Sequence, residues 1–192
     1  MSETPSSFAP DANLVFEAPV LLDSARLEEV FKKNSPRKWI LLGGADHPQH
    51  PLGWIPSEVG SSLQGENIGI AAWGDAALWM IKRGLARNNP PIRVLDPRQG
   101  PVLALEALAA QGKVGDLAAV CFTGLKTCRD LALALGLAAL GLKVGLSNPL
   151  PLWGSEEVRN RLAAKIGARG GSLAHFDHPA QPQEILDWVS KS

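Results

Sequence analysis

Six short apolar runs, spaced by stretches long enough to be helices, constrain this chain more than any other feature. The runs are KWILLG (38–43), NIGIAAW (67–73), IRVLD (92–96), LAAVCFT (117–123), KVGLS (143–147) and SLAHFD (172–177). Most are continuous rather than alternating, the pattern of strands buried on both faces in a parallel sheet covered by helices. The intervening stretches GDAALWMIKRGLARN, VLALEALAAQG, TCRDLALALGLAALG and SEEVRNRLAAKIGARG read as helices, and QPQEILDWVSK closes the chain as another. Pro182 suits the first turn of that last helix. Ser155 is placed to cap its helix, and Val158, Leu162 and Ile166 then form a narrow apolar stripe. Between the first two runs, residues 44–66 show no clear helix. The pattern predicts a three-layer, doubly wound, mainly parallel sheet of about five to six strands, Rossmann-like, over residues 37–192.

Ahead of this unit, residues 1–13 are rich in Ser and Pro and read as a disordered tail. Residues 14–36 read as an extension packed on the domain. In it LVFEAPVLL is an extended segment interrupted by Pro19, and DSARLEEVFKKN is a helix placing Leu27, Val30 and Phe31 on one face.

Charge and composition exclude several classes of function. Lys plus Arg and Asp plus Glu number 19 each, so no broad field gathers nucleic acid or an anionic membrane. The start MSETPSSFAPDAN has neither the basic nor the apolar region of a signal peptide. The stretch LALALGLAALGLKV is too short to span a bilayer. Two cysteines make no disulfide framework. The expectation is a cytoplasmic protein with no nucleic-acid or membrane partner.

In open parallel sheets ligands bind beyond the carboxyl ends of the strands. Most of the chain's glycine, proline and polar punctuation follows the six runs, as GADHPQHP, GDAA, DPRQGP, GLKTC, NPLPLWGS and HPAQP. One candidate is the dinucleotide-type outline over 67–98, a strand, Gly74, a helix and a strand ending in Asp96, which would take a ribose hydroxyl. Its glycine pattern is incomplete, with only Gly69 and Gly74, and Asp75 would oppose a pyrophosphate at that helix start.

CFTGLKTCRD is the better anion cradle: Gly124, Lys126 and Thr127 combine backbone donors, an ammonium and a hydroxyl at a helix start. Leu125 stands where a Walker A loop has glycine, and the plain alternative is a strand–helix turn capped by Thr127. Of the flanking thiols, Cys128 lies near the helix start, where thiols gain reactivity, and Cys121 reads as a small buried residue.

The four histidines form two His-x-x-His turns, His47 with His50 and His175 with His178, each containing Asp-His-Pro. Asp46 and Asp177 would complete or orient a metal set. Both pairs are also ordinary polar turns. Because a last strand added at the far edge would hold the pairs apart, a shared metal site is not expected. His47 and His178 remain individual acid–base candidates should the protein be an enzyme.

Three functions are consistent with these features. The first is a small anionic, nucleotide-type ligand held by Gly124, Lys126 and Thr127, with Gly74 and Asp96 on the same sheet edge. The second is an accessory or assembly protein using the apolar helix 131–142 as a partner surface; this helix, lacking a polar stripe, is expected deep in the core or at a homo-oligomer contact. The third is a metal-dependent hydrolase using the histidine turns. The cofactor and the reaction are not specified by any intact motif.

Overall fold

A computed structural model of the chain describes residues 24–32, 38–44, 51–63, 68–85, 92–95, 100–147, 155–176 and 182–191. Its strands are β1 Lys38–Gly43, β2 Ile68–Ala72, β3 Ile92–Val94, β4 Leu117–Phe122, β5 Lys143–Leu146 and β6 Ser172–His175. The helices are α1 Ser24–Lys32, α2 Trp54–Ser62, α3 Gly74–Lys82, α4 Pro101–Ala110, α5 Cys128–Ala139, α6 Glu156–Gly167 and α7 Pro182–Ser190. All the strands form one sheet, in the order β3-β2-β1-β4-β5-β6, with every neighbouring pair parallel.

The alternation of side chains along buried strands builds two cores. Ile40, Leu42, Ile70, Ala72, Ile92 and Cys121 pack with α2, α3 and α7 on one face. Trp39, Leu41, Ala71, Val120, Phe122, Val144 and Leu146 pack with α1, α4, α5 and Ile166 of α6 on the other. From β1 the chain winds outward to β3 through α2 and α3. It then returns across the sheet through α4 to β4, and winds outward the opposite way through α5 and α6. Crossovers of one hand laid in opposite directions put their helices on opposite faces. The result is a three-layer, Rossmann-like α/β fold, with its reversal of winding between β1 and β4.

Helix α2 corrects the reading of 44–66 as lacking a helix. Its sequence WIPSEVGSS hides the helical period behind Pro56 and Gly60, yet proline is tolerated in a first turn. Ile55, Val59 and Leu63 are buried along one face. Gly60 lets the helix sit close to its neighbours: a Cβ there would stand 3.1 Å from Met80 and 3.2 Å from Leu85.

The apolar stretch 131–142 resolves into a half-buried helix rather than a fully enclosed one. Ala134, Leu137 and Ala138 are in the core, whereas Ala132, Gly136 and Leu140 face outward. After Asp130 its outward positions carry Ala, Gly and Leu instead of polar residues, which is why the sequence shows no polar stripe.

Lysines fasten the first and last described helices at their C-terminal ends. Lys113 Nζ donates to the Phe31 carbonyl at 2.7 Å. Lys143 Nζ donates to the Trp188 carbonyl at 2.6 Å and stands 4.3 Å from the centre of the Trp188 ring. A cation there satisfies carbonyls that the helix cannot and opposes the negative end of its dipole. Residues 1–23, which include the expected tail and extended segment, lie outside the described residues. Among those described, no helix is long and apolar enough to cross a membrane.

Candidate functional site

The candidate site lies where β1 and β4, the strands on either side of the reversal of winding, end. At the end of β1, the Gly43 carbonyl accepts from the Thr123 backbone N–H at 2.7 Å and from the Thr123 hydroxyl at 3.1 Å. One step on, Gly44 has a φ of 101°, in the left-handed region that favours glycine. A Cβ at Gly44 would stand 2.2 Å from the Gly124 carbonyl oxygen. The loops after β1 and β4 therefore touch backbone to backbone. Gly74, after β2, is close as well, since a Cβ there would lie 3.5 Å from the Gly44 oxygen.

Trp73 closes the α4 and α5 side of this edge. Its ring occupies the space where a Cβ on Gly43 would be, 2.0 Å from the nearest ring atom. It meets Phe122 edge-on at 5.4 Å between ring centres, a favoured aromatic arrangement.

Above the glycines runs an ion pair between Lys126 Nζ, from the loop after β4, and Asp75 Oδ2, in the first turn of α3. Since β1 lies between β2 and β4, this pair links loops from either side of it. Its side chains are 62% and 31% exposed, and exposed pairs contribute about 1 kcal/mol or less.

The start of α5 is held by a carboxylate of the chain itself. Asp130 Oδ2 accepts from the backbone N–H groups of Lys126 and Thr127, each at 3.0 Å, and from the Thr127 hydroxyl at 3.1 Å. The Thr127 oxygen accepts in return from the Asp130 N–H at 3.3 Å. This is a capping box, in which two side chains satisfy the donors left open at a helix start. An anion at this turn has to compete with Asp130 for those donors, while the Lys126 ammonium is directed toward Asp75.

The fold thus brings together Gly124, Lys126, Thr127 and Gly74 from the sequence-based set. Asp96, His47 and His178 lie outside the described residues, as do Asp46, His50 and Asp177. His175 is half-buried at the end of β6. With β6 at the sheet edge and β1 three positions away, the strand ends from which the two histidine turns depart are about 14 Å apart. Among the described residues no cluster of three or more His, Cys, Asp or Glu is arranged to hold a metal ion.

Cys128 is exposed and Cys121 buried. Burial raises the Cys121 thiol from 9.0 to about 12, against a smaller opposing effect of the Lys143 ammonium. Sequence reasoning missed Trp73, Thr123, Asp130 and the pairing of Asp75 with Lys126. The spacing Thr127-x-x-Asp130 is itself a capping signature and was readable. The ion pair joins residues 51 positions apart and left no local signal.

Fold and edge together define a Rossmann-like domain whose loops after β1, β2 and β4 meet at its reversal point. Solved structures share the architecture. Carbon monoxide dehydrogenase from Thermococcus sp. AM4 superposes with a TM-score of 0.67 at 16% identity, over 86% of this chain and 30% of its own. Carbon monoxide dehydrogenase IV from Carboxydothermus hydrogenoformans gives 0.67 at 17% identity, over 85% of this chain and 31% of its own. The chain therefore corresponds to somewhat under a third of those enzymes, and at these identities the likeness is one of fold. No family model matches the sequence. No curated protein matches it either.

Proposed function

We propose that this chain binds a small anionic, nucleotide-type ligand where the loops after β1 and β4 meet. The observation that carries this reading is the backbone contact of Gly44 with Gly124, with Lys126 close by on the β4 loop. The glycines let the two loops meet at the strand ends, and an ammonium at the same point supplies charge to a phosphate or carboxylate. The reversal point is also where ligands of this architecture bind. Gly74 and Thr127 extend the polar lining.

Calorimetric titration with a panel of nucleoside mono- and diphosphates tests this. Lys126→Ala is expected to weaken binding by about tenfold or more, as loss of a charge-assisted contact does. A panel that binds neither protein, or binds both equally, overturns the proposal.

A second reading, an assembly or accessory role, is favoured by one observation. Leu140 is 78% exposed and continues the outward face of α5 after Ala132 and Gly136. Such a face suits close contact with a second copy of the chain or another protein. Sedimentation at micromolar concentration tests for the homo-oligomer, and a strict monomer removes that form of the reading.

A further inference from the structure

We infer that the start of α4 is a further oxyanion site, where the indole N–H of Trp73 and the first-turn amides of the helix hold a phosphate or carboxylate group. It is distinct from the turn that carries Lys126 and does not use that lysine. Two separate observations carry it.

The first is a buried donor without an acceptor. Trp73 is 7% exposed, and a buried indole N–H normally finds a hydrogen-bond partner. Among the described residues Trp73 Nε1 has none. Two glycines fix the way the ring lies. The atoms nearest a Cβ on Gly43 would be Cε2, Cδ2 and Cζ2, so the fused side of the indole covers the end of β1. Those nearest a Cβ on Gly100 would be Cδ1 at 3.5 Å, Nε1 at 3.8 Å and Cγ at 3.9 Å. The half of the ring that carries the N–H therefore borders Gly100.

The second observation is what Gly100 does. It is the N-cap of α4, a helix of 10 residues, and no side chain caps that end. The opening N–H groups of a helix have no partner within it. Pro101, in the first turn, has no N–H, which leaves those of Val102 and Leu103. At the start of α5 the equivalent donors are held by Thr127 and Asp130; an anion at α4 displaces no side-chain cap. Gly100 has a φ of 56°, a conformation that glycine adopts without strain, and its lack of a side chain leaves room beside the indole edge. Val102, in the same turn, is 43% exposed, so the turn reaches the surface.

These donors are all neutral, and the helix adds the positive end of its dipole. The group they suit is an oxyanion, whose oxygen supplies the acceptor that the indole lacks.

Proton–nitrogen NMR of labelled protein, titrated separately with inorganic phosphate and with acetate at constant ionic strength, tests the inference. The Trp73 indole signal, identified by its loss in Trp73→Phe, is expected to move downfield and to saturate together with the Val102 and Leu103 amides. A response to one anion only names the class of oxyanion. Trp73→Phe keeps an aromatic ring over Gly43, and its two amides should still respond, with affinity about threefold to tenfold weaker for one lost hydrogen bond. Unchanged affinity in that variant overturns the part played by the indole. Should the variant not fold, the wild-type titration decides alone, with the indole signal assigned through its own backbone. Signals of Trp73, Val102 and Leu103 that stay in place with both anions overturn the site. If phosphate then moves only the Lys126 and Thr127 amides, the ligand reading above stands without it.

Discussion

The hydroxyl of Thr123 donates to the carbonyl of Gly43 at 3.1 Å, alongside the Thr123 N–H at 2.7 Å on the same oxygen. Ser147 repeats the arrangement one strand over, its N–H and hydroxyl reaching the Phe122 carbonyl at 3.1 and 2.9 Å. Both side chains are buried. Each fastens the end of a strand to the next just where the parallel ladder stops, and so fixes where the following loops start. Thr123→Val keeps the shape and the N–H but loses the hydroxyl bond. It is expected to cost about 1 kcal/mol and about 2–4 °C in melting temperature, measured by calorimetry. An unchanged melting temperature would show that the hydroxyl bond adds nothing to the strand end.

Two glycine substitutions should act in opposite directions. Gly44→Ala combines a φ of 101° with a Cβ 2.2 Å from a backbone oxygen, so destabilisation by about 2 kcal/mol or more is expected. Gly136 is an exposed position of α5, and a Cβ there meets nothing within 4 Å. Gly136→Ala should stabilise by about 0.4–1 kcal/mol through reduced freedom of the unfolded chain. Urea unfolding of both variants reads the contrast; a tolerated Gly44→Ala contradicts the backbone contact beneath the proposed site.

Stability should fall above pH 9 because of Cys121. The thiol ionises near 9.0 in the unfolded chain and only at about 12 when buried. Between these values the unfolded state holds fewer protons than the folded one, so rising pH favours unfolding. The contribution is fully present below pH 9, and the loss reaches roughly 4 kcal/mol by pH 12. Urea unfolding of Cys121→Ala at pH 8, 10 and 11 should show a shallower decline than the wild type. Superimposable pH profiles would mean that Cys121 does not titrate from a buried position.

The charges at these loops should separate cleanly in stability measurements. Lys126→Ala is expected to change unfolding free energy by about 1 kcal/mol or less, because its pair is exposed. Asp130→Ala removes a capping box and should cost about 0.5–2 kcal/mol. A Lys126→Ala variant that loses binding while melting like the wild type ties the ammonium to the ligand. Marked unfolding of that variant would assign it a structural role instead.

Sheet and layers were legible in the chain because two-sided burial leaves continuous apolar runs. KWILLG is β1 to the residue, and LAAVCFT exceeds β4 by one position. Helix α2 was not legible, since it packs through Ile55, Val59 and the small Gly60 rather than through a broad apolar stripe. The turn 123–128 takes the form given above as the plain alternative to an anion cradle, a strand–helix turn with Thr127 as its cap. That Asp130 would occupy its donors and Asp75 would engage its lysine followed from neither segment separately.

By itself the sequence determined the strands and every helix but α2, because period, caps and proline placement act over a few residues. Only the tertiary structure decided the order of the strands. Parallel neighbours are joined by backbone hydrogen bonds, which carry no side-chain code for choosing a partner. That order puts Gly44 against Gly124 and spans Asp75 to Lys126 across β1. These contacts are a product of chain winding, formed by groups too far apart in sequence to register in any local pattern.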